Sequence, residues 1–190
     1  MNKQLALWEN LYKQLLRKID EQAGQLFSLQ KTYLACKAGC YSCCKDDFSV
    51  RFIEGWALWQ KINCLTSKKI KKSKTTEGLC ILLDENGHCS SYKDRPLLCR
   101  AYGLLVTVDG NMRKCHLNYT TLGSTKDMLT LNLDPFYNLA DELSNELWTL
   151  HHQHLPEEFP SKTPDFLPIS QWLVFFEARK AKLIEAGLAT

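Results

Sequence analysis

All nine cysteines of this 190-residue chain fall between residues 36 and 115, and four of them crowd into CKAGCYSCC at 36–44. Thiols that dense are too crowded to be packing residues. They form a disulfide knot, a redox centre or a metal site, and each choice constrains the fold differently. An odd cysteine count leaves one thiol unpaired in any intramolecular disulfide scheme. The N-terminus, MNKQLALWENLYKQLLRK, has no uninterrupted apolar stretch and no small-residue cleavage site, so it does not read as a secretory signal. No segment approaches the ~20 apolar residues of a membrane span. The expectation is a cytoplasmic chain with no membrane partner, in a compartment that keeps thiols reduced. The knot is therefore the weakest reading, and metal the strongest.

Around this centre the chain patterns as helix. Leu5, Trp8, Leu11, Tyr12, Leu15, Ile19, Ala23 and Leu26 recur at three- and four-residue intervals, predicting an amphipathic helix over 2–29. Its apolar face is read as core-facing rather than as a coiled-coil seam. VRFIEGWALWQKIN at 50–63 predicts a second helix with Ser49 as its N-cap, and places Trp56 and Trp59 in the core. The turn residues of DENG predict a short extended excursion that leaves Cys80 and returns at Cys89. LLVTVDGNMRKC predicts a hairpin turning at Asp109-Gly110. Asp134 followed by Pro135 predicts an N-cap and a helix to about His151. A last helix is expected from about Ile169 to Glu185, closed by Gly187.

These elements predict a mainly α fold with a small irregular or β cysteine-rich centre. The expected organisation is a single compact domain over 1–190, with a metal-binding core at 33–116 and flanking helices at 2–30 and 134–187. With 45% hydrophobic and 24% charged residues the chain can bury a real core without depending wholly on staples. A net charge of +3 is too mild to indicate a nucleic-acid partner. The basic run SKKIKKSK at 67–74 lacks interleaved aromatics, so it is read as a solvated loop rather than an RNA or phosphate contact.

Thiolate is a soft ligand that suits zinc or an iron–sulfur cluster. Cys36, Cys40 and Cys43 stand at i, i+4 and i+7, with Gly39 free to shape a tight loop. Consecutive side chains tend to point apart, so Cys43 and Cys44 are expected to serve different ions, or one to ligate while the other packs or reacts. Cys80, Cys89, Cys99 and Cys115 supply four more thiols. The eight candidates suffice for two four-coordinate sites, or for one cluster with reserve thiols; Cys64 is the expected bystander. Arg95 and Arg100 flank Cys99 and would either offset thiolate charge or pair with Asp94 or Asp84. His88 and His116 are secondary ligand candidates beside Cys89 and Cys115. His151, His152 and His154 read instead as positive charge at a helix C-terminus.

Cys-x3-Cys-x2-Cys is also the cluster spacing of radical S-adenosylmethionine enzymes. Those usually carry an aromatic directly before the third cysteine, where this chain has Ser42. It also lacks the repeating strand–helix pattern of their barrel.

CKAGCYSCC, then VRFIE, then CILLDENGHCSSYKDRPLLCRAYG resembles the YkgJ-type bacterial cysteine-cluster family, described as a zinc- or iron-chelating domain. That family is named for its CxxCxxCC motif and includes a flagellin lysine N-methylase. Its second block is matched by Cys80, Gly87, Cys89, Tyr92, Arg95, Pro96, Cys99 and Arg100, and the resemblance spans about 33–116. The chain departs from it in its Cys-x3-Cys opening and in Ser91, where the pattern has a hydrophobic residue. The resemblance implies a zinc or iron site, the iron either alone or in an iron–sulfur cluster. The alternative is an enzyme, a protein-lysine methylase or a small redox catalyst acting through Cys44 or Cys64, which leaves a protein substrate open. No glycine-rich turn after a strand marks an S-adenosylmethionine site.

Overall fold

The structure is a computed structural model that describes residues 3–37, 39–45, 48–63, 79–164 and 166–189. Cys64 and the basic run at 67–74 lie outside the described residues. Helix α1, Lys3–Gln30, follows its apolar period: Leu5, Tyr12, Leu15, Ile19 and Ala23 are buried along one stripe. At its end Gln30 is also buried, because its amide donates to the Leu129 carbonyl (2.7 Å) and its carbonyl oxygen accepts from the Tyr119 hydroxyl (2.6 Å). These two bonds pin the exit of α1 to the segment that follows Cys115.

Helix α2 runs Phe52–Asn63 and starts later than the apolar pattern implied. Ser49–Val50 form strand β1, which pairs antiparallel with a strand at Leu167–Pro168. Ser49 is thus extended and does not cap. Glu54 does the work instead: one oxygen of its carboxylate accepts the Arg51 N–H at 2.9 Å. The other oxygen accepts the Leu97 N–H at 2.9 Å, at the start of the short helix α3, Leu97–Ala101. One buried carboxylate thereby ties α2 to the helix that carries Cys99.

The hairpin forms as expected. Strand β2, Val106–Val108, pairs antiparallel with β3, Asn111–Arg113. Asp109 and Gly110 both take positive φ, 50° and 71°, the signature of a type I′ turn. Strand β4, Leu131–Asn132, adds to β2 in parallel, and Leu167–Pro168 becomes β5. Helix α4 spans Asp134–His154, three residues past the expected end. Asp134 does not cap it, because its carboxylate accepts the Asp109 N–H at 2.8 Å and closes the hairpin instead. Helix α5, Ile169–Glu185, matches its expected span, and Gly187 turns the chain with φ 69°.

One apolar core gathers residues from α1, α2, α3, α4 and α5. Its centre is aromatic. Phe52 packs edge-on against Trp148 (4.9 Å between centroids) and Trp172 (5.4 Å), with Phe159 and Phe176 also in contact. Trp56 and Trp59 are fully buried there, as expected. α2 can approach α5 this closely because residue 55 is glycine: a Cβ there would lie 2.5 Å from the Trp172 ring. The described residues are therefore mainly α with two small sheets, and the cysteine-bearing segments lie outside this aromatic packing. No helix among the described residues is long and apolar enough to cross a membrane.

Candidate metal centre

The first cysteine segment is irregular and hangs between two anchors. Near its start, the Ala35 N–H donates to the Asn118 side-chain oxygen (2.8 Å), and the Tyr119 N–H donates to the Tyr33 carbonyl (2.8 Å). At its end, the Cys80 N–H donates to the Cys44 carbonyl (2.8 Å). The DENG excursion then folds back as read from its turn residues. Leu83 bridges Cys89, the Asp84 N–H donates to the His88 carbonyl, and Gly87 takes φ 77°. That glycine lets the turn rest on Tyr41, because a Cβ at residue 87 would meet the Tyr41 ring at 2.7 Å. The two cysteine-bearing loops are thus held face to face by backbone and ring contacts.

The eight described cysteines are not joined to one another in disulfides. A three-ten turn over Ser42–Lys45 brings the Cys43 and Cys44 sulfurs to 4.0 Å. This corrects the expectation that neighbouring side chains point apart: the tight turn swings the two sulfurs onto one side. The spacing is close to the ~3.8 Å edge of a thiolate tetrahedron built with zinc–sulfur bonds of about 2.3 Å. The contact between the two thiols, in which either sulfur can donate, raises the Cys43 pKa strongly, with burial adding to it. The same bond lowers that of Cys44, against burial and the nearby Cys80, Cys89 and Cys99. Cys44 is thus the readier thiolate of the pair.

Cys99 is pushed well up by burial first and then by Cys80, Glu54, Cys43 and Cys89. Cys89 is raised by burial, and the Arg95 charge opposes that rise. Cys43, Cys44, Cys80, Cys89 and Cys99 thus act on one another electrostatically. Cys36 instead feels Cys115, Cys40 and Cys43. It accepts a hydrogen bond from the buried Asn118 amide at 3.3 Å, which opposes the upward effect of its own burial. Soft thiols gathered this way suit a thiophilic metal, which binds by displacing their protons. Among the described residues no group of three or more His, Cys, Asp or Glu side chains is already arranged to hold an ion. Loading would have to draw the sulfurs inward from these anchored loops.

The arginines divide. Arg100 is buried and pairs with Asp20 at 2.5 Å, while also donating to the Arg95 and Lys93 carbonyls. It pairs with neither Asp94 nor Asp84, and its role is to hold α3 against α1. Arg95 lies over the Tyr92 ring (3.6 Å), and its charge favours the thiolates of Cys43 and Cys89. His88 is exposed, with Nδ1 3.8 Å from the Asp84 carboxylate, and His116 is exposed too.

His151 corrects the reading of helix-end histidines as positive charge. It is fully buried, Nδ1 lies 2.7 Å from the Leu147 carbonyl, and the Trp56 ring packs at 4.6 Å. Burial drops its pKa to about 4, so it is neutral near pH 7. Asn118 and Glu54 were not identified as site-shaping residues from the sequence. Glu54 lies inside the VRFIE block, but nothing in that block shows that it reaches Leu97.

Residues 35–120 match the family CxxCxxCC, described as "Putative zinc- or iron-chelating domain". No curated protein and no solved structure matches the chain.

Proposed function

We propose, from the match of residues 35–120 to the CxxCxxCC family, that this chain binds zinc or iron through cysteine thiolates, in a compartment that keeps those thiols reduced. The observation that carries the reading is the facing of the two loops. Cys43 and Cys44 come from one, Cys80 and Cys89 from the other, and Cys99 from α3, held in register by the Cys80–Cys44 backbone bond and by Glu54. Cys36, Cys40 and Cys115 complete the donor set. Zinc held by four thiolates with no open position is structural, since catalytic zinc keeps a water. Iron, alone or in an iron–sulfur cluster, would give the same donors a redox or sensing role.

This chain's own part is to present thiols, set their protonation and offset the charge of the loaded site. Cys44 loses its proton more readily than Cys43, and the Arg95 charge favours the ionised sulfurs of Cys43 and Cys89. The test is the metal content of protein purified anaerobically. Stoichiometric zinc in a colourless sample, or iron and sulfide in a brown one, supports the reading. Protein that takes up neither metal after reconstitution sinks it.

A further inference from the structure

Asn118 is buried, and its side chain meets three partners from three segments. Its oxygen accepts the Ala35 N–H at 2.8 Å. Its nitrogen donates to the Gly103 carbonyl at 2.6 Å and to the Cys36 sulfur at 3.3 Å. The two backbone partners dictate which way round the amide sits. Reversed, its NH2 would face the Ala35 N–H and its oxygen the Gly103 carbonyl. The sulfur is therefore met by an N–H, and it is the acceptor. An N–H held against a sulfur fixes its direction and offsets negative charge on it.

The backbone on both sides is shaped around this contact. Gly103 takes φ +112°, and a Cβ there would lie 2.8 Å from the Cys36 sulfur and 3.4 Å from the Asn118 nitrogen. Only glycine leaves that space and adopts that conformation without strain. Tyr119, the residue after Asn118, is large and buried yet takes φ 59°, in the left-handed region. Such a conformation persists only where the surroundings hold it. Here the Tyr119 N–H donates to the Tyr33 carbonyl at 2.8 Å. Its hydroxyl donates to Gln30 at 2.6 Å and accepts the Leu105 N–H at 3.2 Å. Gln30 and Tyr33 stand just before the first cysteine loop, so the bonds that hold the strained turn also set where that loop begins.

We propose that Asn118 is a positioning residue for Cys36, its side-chain N–H presenting the sulfur to an incoming metal ion in one fixed direction. This rests on the thiolate metal reading above and adds to it a residue that is not itself a metal donor. Cys36 is exposed, so without the amide its side chain turns freely in solvent and must be ordered when the metal binds. The amide has two separable tasks. Its oxygen anchors the loop backbone through Ala35, and its nitrogen orients the sulfur.

A double-mutant cycle separates the two. Zinc affinity of reduced, initially metal-free protein is measured by competition with a chromogenic chelator for wild type, Asn118→Ala, Cys36→Ala and the double variant. Asn118→Ala is expected to weaken zinc about tenfold or more, as loss of an outer partner of a metal ligand does. In the Cys36→Ala background the same change is expected to cost nothing further, because the sulfur it acts through is gone. An equal loss in both backgrounds makes Asn118 a loop anchor only and overturns the proposal. So does wild-type affinity in Asn118→Ala or in Cys36→Ala, while metal binding by the other thiols stands. Asn118 is buried and its replacement can disturb folding, so a second measurement leaves it in place. The side-chain NH2 resonances of Asn118 are expected to shift on zinc loading of wild type and to stay put in Cys36→Ala. Resonances that zinc does not move in wild type, or moves alike in both proteins, overturn the assignment. No zinc uptake by wild type overturns the proposed function itself.

Discussion

Phe52 and Cys43 are close in sequence, yet their surroundings differ in kind. Phe52 is wholly buried and meets five other rings, from Trp148, His151, Phe159, Trp172 and Phe176. Cys43 is half-buried in a three-ten turn, and its recorded side-chain hydrogen bond is to another thiol. The aromatic region is complete as it stands, because apolar burial needs nothing from outside. The thiol region is built from turns and two- or three-residue strands, which do not sustain themselves in water. What it holds ready is a set of donors. Glu54 joins the two regions, since its carboxylate caps α2 on one side and α3 on the other.

Metal removal is the strongest way to break this contrast. Structural zinc contributes about 10–16 kcal/mol in small modules whose folding depends on it. Chelation under reducing conditions is therefore expected to speed amide exchange by orders of magnitude across 80–119. Exchange in the centre of α2, α4 and α5 should change little. If both regions open together, they form one cooperative unit and the contrast fails.

The mirror-image test truncates the aromatic centre. Phe52→Ala leaves a cavity among fully buried rings and should cost about 3–5 kcal/mol of stability. Its zinc stoichiometry should equal that of wild type while the thermal midpoint falls. A loss of bound zinc in the folded variant would show that the aromatic packing also sets the thiol geometry.

His151 gives the same region a pH dependence of its own. Its pKa falls from 6.5 to about 4 on folding, so between those values the unfolded chain holds a proton that the folded chain lacks. Its contribution is complete above about pH 6.5 and is lost as the pH drops towards 4, about 3 kcal/mol in all. His151→Gln should flatten this part of the pH–stability curve. An unchanged difference between pH 7 and pH 5 would mean that His151 is hydrated in solution.

What was legible in the sequence followed the same division. Period and turn chemistry are local, so α1, α5 and the Asp109-Gly110 hairpin fell within a residue or so of their expected places. Capping failed wherever a tertiary partner competed. Ser49 was drawn into a strand by Leu167–Pro168, and Asp134 was claimed by the Asp109 N–H. His151 looked like a helix-end cation because nothing local reveals that Phe52, Trp56 and Phe159 will close over it. The cysteines themselves were plain. What surrounds Cys36 was not, since Asn118 and Gly103 reach it from sites far along the chain.

The smallest expected effect probes how the thiol region tolerates charge. Arg95 lies over Tyr92 and its guanidinium favours the ionised forms of Cys43 and Cys89. Arg95→Gln keeps much of the stem and the chance of a hydrogen bond to the Tyr92 carbonyl but removes the charge. It should weaken zinc binding about tenfold, the lower end of what an outer partner of a metal site contributes. Arg95→Lys should restore most of the affinity, because a point charge suffices for the field though not for the stacking. Raising the salt should shrink the gap between wild type and Arg95→Gln, since a half-exposed charge is screened. If lysine fails to rescue and salt has no effect, Arg95 acts by packing on Tyr92. The cation that offsets the thiolates must then be sought elsewhere in the loop.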